Sequence, residues 1–257
     1  MAALYRLVDT HAHLEEMADL EKAITDARRV GVTAIVAVGS GLASNARVLE
    51  LAGLYPDFVY PALGWHPWYI REDEIDANLE FIRANIGQAV AVGEVGLDYH
   101  KRVRENADKA LQKRVLGGLL KIAADHGKPA LIHSRYAWRD AFDAVAAAGL
   151  PKAVFHWYTG TSGVLRDIVV KGYYLSVTPA VEYHEEHRRA VKETPLERLL
   201  LETDSPVVYR RGTELEYQSN PACVIRSLIG AAILKGVRDA ELAEITTENA
   251  RGLFELG

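Results

Sequence analysis

Leu7–Glu16 reads LVDTHAHLEE, a short apolar run, an aspartate, and then two histidines two residues apart, His11 and His13. The question it poses is why two imidazoles stand at the end of a segment that reads as a buried strand. Successive side chains of an extended chain point to opposite faces, so residues i and i+2 share a side. His11 and His13 can therefore reach one point in space. Asp9 has the same parity, which makes it either a partner that fixes an imidazole or a polar group of the core.

The same pattern recurs down the chain. Apolar and β-branched runs predict strands over Arg6–Asp9, Thr33–Val38, Phe58–Leu63, Ala89–Gly93, Pro129–His133, Ala153–His156, Tyr173–Ser176 and Arg198–Leu201. Helix-period segments separate them. In Asp108–Asp125, Leu111, Val115, Leu119 and Ile122 share one face. Further helices are expected over Leu20–Val30, Ser44–Leu54, Glu74–Ile86, Trp138–Ala148, Ser162–Val170, Tyr183–Lys192, Pro221–Leu234 and Asp239–Leu256. Strands alternating with helices imply a parallel sheet. Eight such units in about 250 residues predict a (β/α)8 TIM barrel. A doubly wound open sheet is the alternative, weakened because no Gly-x-Gly-x-x-Gly loop follows the first strand. With no linker or low-complexity tract, residues 1–257 read as a single domain.

A polar residue stands wherever an apolar run stops. GWHPW (64–68) follows the third strand, GEVGLDYH (93–100) the fourth, LIHSR (131–135) the fifth, FHWYTG (155–160) the sixth and LLLETDSP (199–206) the eighth. In a (β/α)8 barrel these ends lie on one face, the face that carries active sites. His11, His13, His66, Glu94, His133, His156 and Asp204 should converge there. Each histidine alone reads more readily as structural; five of nine at strand ends do not. His100, His126, His184 and His187 stay with the structural reading, the last two on a solvated helix face in HEEHRR (184–189). Imidazole nitrogen with carboxylate oxygen suits Zn²⁺, Mn²⁺ or Fe²⁺, whereas Mg²⁺ prefers an all-oxygen shell. Four histidines and two carboxylates exceed the needs of one ion and fit two ions bridged by a carboxylate.

The net charge of −5 carries no general electrostatic footprint for nucleic acid or a membrane surface. The lone Cys223 excludes an intrachain disulfide framework and fits a reducing cytoplasm. No signal peptide and no apolar run of membrane-spanning length are read, and no obligate protein partner is inferred.

These motifs, with Asn220–Pro221 and the closing TTENARGLF (246–254), resemble the TatD family of metal-dependent hydrolases, within the amidohydrolase superfamily of (β/α)8 barrels. The resemblance covers essentially the whole chain. It implies that His11 and His13 bind a first ion with Asp204 close by, that Glu94 bridges to a second, and that His133 and His156 complete it. It also implies that His66 and Arg135 hold a phosphate. Similar proteins are associated with Mg²⁺-dependent 3′-to-5′ DNase activity, which makes single-stranded DNA ends, or a small phosphodiester, the expected substrate. The chain departs from the family pattern at Tyr136, where an acid is usual, at Trp157–Tyr158 in place of Cys-Phe, and at Gln218–Ser219 before Asn220.

The expected chemistry is hydrolysis of a phosphodiester, with Asp204 accepting a proton from water and Glu94, His66 and Arg135 completing the catalytic set. Trp65, Trp68, Trp157 and Tyr158 are expected around the mouth, either stacking on bases or packing on loops. Two other readings compete. One is a small-molecule amidohydrolase or ester hydrolase; many two-metal members of that superfamily bridge with a modified lysine, and here strand four supplies Glu94. The other is a metal-binding protein without turnover.

Overall fold

The computed structural model describes residues 5–257. Eight strands form one parallel sheet in chain order: β1 (Leu7–Ala12), β2 (Val32–Val38), β3 (Val59–Trp65), β4 (Ala91–Asp98), β5 (Ala130–Arg135), β6 (Ala153–Phe155), β7 (Tyr174–Val177) and β8 (Leu199–Leu201). The sheet closes where β1 meets the chain leaving β8. Ala12 bridges Ser205, the His13 N–H donates to the Ser205 carbonyl at 2.8 Å, and the Asp204 N–H donates to the His11 carbonyl at 2.9 Å. The result is the expected (β/α)8 barrel.

Helices α1 (Leu20–Arg29), α2 (Leu42–Leu54), α3 (Ile75–Asn85), α4 (Lys101–Arg104), α5 (Lys109–Asp125), α6 (Trp138–Ala147), α7 (Ser162–Val170), α8 (Glu185–Glu193) and α9 (Val224–Lys235) alternate with the strands or follow them, and α10 (Asp239–Phe254) ends the fold. Three start on side-chain caps that sequence alone can pick out: Asp19, Asp108 and Thr161 each accept a backbone N–H of the first turn. A large outer core lies between sheet and helices. A smaller inner core joins Val8, Ala34, Val36, Ala62, Ala91, Leu131, Val154 and Leu200 to Leu253 and Phe254 at the end of α10.

Those inner residues set the parity of each strand. Leu131 and Val154 point inward, so His133 and His156 two residues on do too; from Leu200 the same count reaches Glu202 and Asp204. β1 and β4 break the count. Val8 is inward but Leu7 and Ala12 belong to the outer core, and the pairing with β2 shifts register between Asp9 and Ala12. In β4, Ala91 is inward while Val95 and Leu97 face out, with a shift between Val92 and Val95. Both irregularities turn the strand end over, and the turned ends carry His11, His13 and Glu94. Gly64 on β3 makes room for the second one, since a Cβ there would collide with the backbone of Gly93 and Glu94. β4 also runs to Asp98 rather than stopping at Gly93, because its continuation pairs with β5 despite a glycine and a glutamate.

Asp9 does not reach an imidazole. It is fully buried and accepts from the Thr203 N–H at 3.0 Å and the Thr203 hydroxyl at 2.6 Å, tying β1 to the chain beyond β8. A small antiparallel hairpin, β9 (Val208–Tyr209) with β10 (Tyr217–Gln218), follows and was not foreseen; it is too short to leave a periodic signal. Glu182 pins this region, pairing with Arg210 at 3.2 Å and Arg226 at 2.8 Å.

Asp9→Ala is expected to destabilise the barrel, since it strands two buried donors of Thr203 at about 1–3 kcal/mol each. Denaturant unfolding of the variant against the parent, at constant slope, measures the loss.

Candidate active site

Glu94 is the centre of the site. Buried on β4, it divides its two oxygens between two groups of imidazoles. Oε2 lies 3.2 Å from Nε2 of His11 and 3.2 Å from Nε2 of His13. Oε1 lies 2.9 Å from Nδ1 of His133 and 2.8 Å from Nε2 of His156, with Nε2 of His66 at 3.5 Å. Asp204 Oδ1 stands 3.6 Å from Nε2 of both His11 and His13, on the Oε2 side. All seven residues expected to converge are therefore brought together. His66, expected as a phosphate contact, lies with the His133 group rather than apart from it.

A further set of carboxylates backs the imidazoles. Asp98, at the end of β4, faces Nε2 of His133 at 3.2 Å. Its oxygens also accept from Arg135, at 2.9 and 3.1 Å, and from the Trp68 indole at 2.6 Å. Glu15 faces Nδ1 of His13 at 3.9 Å. Glu202 is wholly buried and faces Nδ1 of His11 at 3.9 Å and Nδ1 of His156 at 3.7 Å. None of these three was singled out from sequence. For Glu202 and Asp98 a signal existed: each sits an even number of residues from a selected ligand, Asp204 or Glu94, inside a quoted motif. Glu15 also lies two residues from a selected ligand, His13, but in the turn Leu14–Glu16 beyond β1, where strand parity does not apply.

The charges follow from this packing. Burial alone would raise the Glu94 carboxyl, but His66, His156 and His11 hold it well below the usual carboxylate range. Burial works against protonation of His13, and Asp204, Glu15 and Glu94 outweigh it, pushing that imidazole well above its ordinary value. His156 is raised in the same way by Glu94 and Glu202, and His133 by Asp98 and Glu94. His66 goes the other way, to about 3, because burial outweighs its attraction to Glu94. In the metal-free chain, then, protons on several rings balance the buried carboxylates. Divalent cations can take over that balance, and the donors fit them: two close imidazole nitrogens face each oxygen of Glu94, and Asp204 stands on one side.

Some expectations fail. Trp65 and Tyr158 do not flank the mouth; both are fully buried, because Trp65 turns to the outer core and the Tyr158 hydroxyl donates to the Thr161 carbonyl at 2.8 Å. Trp157 is half-buried. The exposed aromatics near the site are Trp68, Tyr69 and Tyr136. His187 is not solvated. It is buried, accepts the Thr178 N–H at 3.2 Å and pairs with the Tyr158 carbonyl at 3.0 Å, and so remains structural. Arg210 is committed to Glu182, while the adjacent Arg211 is exposed.

A (β/α)8 barrel with this histidine–carboxylate cluster at the C-terminal mouth is the build of a metal-dependent hydrolase. The TatD related DNase family model matches residues 8–255, and the chain belongs to that family. Human "Deoxyribonuclease TATDN3" is 31% identical over 98% of this chain and 96% of its own length. The "3'-5' ssDNA/RNA exonuclease TatD" of Erwinia tasmaniensis is 32% identical over 93% of this chain and 94% of its own. Among solved structures, the Escherichia coli k12 TatD homologue YJJV superposes with a TM-score of 0.88 at 28% identity, covering 98% of this chain and 99% of that one.

Stability of the metal-stripped protein should depend on pH in both directions. His13, His133 and His156 have raised values, so their contribution is complete below the ordinary imidazole value of 6.5 and is lost as pH rises through the raised ones. Glu94 is depressed, so its contribution is present above 4.5 and is lost on acidification. His66, neutral down to about 3, adds to the acid-side loss, which for it begins at 6.5. Thermal melts in chelator are expected to peak in mildly acidic buffer, and divalent metal should restore stability on the alkaline side.

Proposed function

We propose that residues 1–257 form one cytoplasmic hydrolase domain that cleaves phosphodiesters, with single-stranded nucleic acid ends as substrate and a 3′-to-5′ mode of action. The observation that carries this reading is the division of Glu94 between two imidazole groups, the arrangement a binuclear centre requires. In it His11, His13 and Asp204 would hold one ion and His133 and His156 the other, with Glu94 shared between them. The nitrogen-rich donor set favours Zn²⁺, Mn²⁺ or Fe²⁺ on chemical grounds, while family resemblance favours Mg²⁺. Divalent ions at such a site lower the pKa of water toward neutrality and withdraw charge from phosphoryl oxygens.

The chain's own residues supply the rest. Asp204, at the open side of the cluster, orients the attacking water and accepts its proton. His66 and Arg135 face the phosphoryl oxygens. Arg135 is already oriented by two hydrogen bonds to Asp98 and keeps more than a third of its side chain open to solvent. Its guanidinium lies 5.1 Å from the Trp68 ring centre, and Tyr69 lies beside His66 with ring centres 6.0 Å apart. Trp68, Tyr69 and Tyr136 thus offer exposed rings where a base next to the bound phosphate can stack, a contact of about 1–3 kcal/mol per base.

The net acidic chain favours contact with one or two phosphates over a long duplex groove. Binding of single strands to Asp204→Asn should then weaken gently with salt, by about 0.7 in log K per log salt for each phosphate engaged. A slope of many units would point to a basic groove instead.

The direct test is cleavage of end-labelled single- and double-stranded DNA, RNA and bis(p-nitrophenyl) phosphate with Mg²⁺, Mn²⁺ or Zn²⁺. Stepwise loss of 3′ nucleotides from single strands supports the proposal. Cleavage of amides or carboxylic esters alone, or metal binding without turnover of any substrate, overturns it. Asp204→Asn should retain metal, because the amide keeps an oxygen donor, and should lower kcat about 10²–10⁴-fold. Metal analysis beside single-turnover rates checks both halves.

A further inference from the structure

Besides Nδ1 of His13 and Oε2 of Glu15, three buried polar atoms of the site have no hydrogen-bond partner: Nδ1 of His11, Nδ1 of His156 and Oε2 of Glu202. They face one another. His11 Nδ1 is 3.9 Å from Glu202 Oε2, and His156 Nδ1 is 3.7 Å from Glu202 Oε1. The two rings lie nearly parallel, 4.2 Å apart at 11°, so both present their Nδ1 edge to the same carboxylate. Buried polar groups are seldom left unpaired, and three converging orphans call for a common cause.

We infer that Glu202 is a single anchor shared by both metal positions, accepting the Nδ1–H of His11 on one side and of His156 on the other. This rests on the binuclear reading above. The Nε2 atoms of the two rings face different oxygens of Glu94, so the rings belong to different ions. A neutral imidazole that offers Nε2 to a metal carries its proton on Nδ1. With no solvent at hand, that proton needs an acceptor, and Glu202 is the one within reach of both. The other backing carboxylates serve one ring each: Asp98 serves His133 and Glu15 serves His13. Glu202 is therefore a positioning residue through which the two ions share a support. Its remaining contact, the Trp157 N–H to Oε1 at 2.9 Å, holds the turn after β6 and would give it a purely structural role if it stood alone.

Glu202→Gln separates these roles. The amide keeps one oxygen for the Trp157 N–H and the His156 side, turns its NH₂ toward the His11 Nδ1–H, and loses the charge that both rings share. The full chain, stripped with chelator, is titrated with Co²⁺ alone, followed by calorimetry and by the ligand-field bands of the bound ion. Both affinities are expected to fall, each by about 10–100-fold, and the melting temperature of the metal-free protein is measured beside them so that loss of the Glu202 charge is read separately from loss of metal. Asp98→Asn and Glu15→Gln should each weaken one ion only. A loss confined to one ion in Glu202→Gln, or no loss, overturns the inference. So does a third Co²⁺ bound by the parent and missing from the variant, which would make Glu202 a direct ligand. If the variant does not fold, ¹⁵N-imidazole spectra of the Zn²⁺-loaded parent decide: His11 and His156 should both carry slowly exchanging Nδ1 protons, and fast exchange at either one refutes the shared anchor. A parent that binds fewer than two ions would instead remove the binuclear reading itself.

Discussion

Glu94 is a carboxylate taken out of water and surrounded by imidazoles, and much of the molecule is arranged around that fact. A buried charge is tolerated only where opposite charge and hydrogen bonds compensate it. Here the compensation comes from five rings delivered by four different strand ends, those of β1, β3, β5 and β6. Those rings need fixed orientations in turn, which Asp98, Glu15 and Glu202 supply from behind. The site is thus built in layers of alternating charge. Removing a member leaves its neighbours buried and unbalanced rather than merely absent.

The barrel supplies the places, and two register shifts supply the orientation. A regular strand would present alternate residues inward all the way along, which suits β5 and β6 and leads straight to His133 and His156. It would turn Glu94 away from the axis, because Ala91, of opposite parity, already faces the inner core. The shift between Val92 and Val95 removes the conflict. Irregular strands at the rim of a barrel commonly re-aim side chains beside a site, and here both irregular strands do so.

The alternation of apolar runs and helical periods made the architecture legible, and the strand-end histidines made the metal cluster legible, because both are local patterns. What stayed hidden was non-local. Asp9 has the right parity by count to join His11 and His13, yet a register shift lies between them and it binds Thr203 instead. Trp65, next to His66, turns outward into the core because neighbours along a strand face opposite ways; Tyr158 lies beyond the end of β6, where strand parity no longer applies, and its hydroxyl is held by the Thr161 carbonyl. His187 looked solvated inside a charged run; its ring is drawn in by backbone groups of Thr178 and Tyr158 that no spacing rule reveals. Glu202 carried a readable parity and was overlooked because Asp204, two residues on, already accounted for the motif.

The seam between β1 and the end of β8 has a consequence for biosynthesis. Asp9 and Thr203 are 194 positions apart, and the same seam brings His11 and His13 to Asp204. An emerging chain holds its first two imidazoles early but lacks Asp204, their second carboxylate partner, until nearly four-fifths of the protein has been made. Contacts this distant in sequence form late, after the entropy of closing a long loop has been met. Until then His11 and His13 stand at the open β1 edge of a part-built sheet. The last strand completes the barrel and brings Asp204 to the imidazoles in one event.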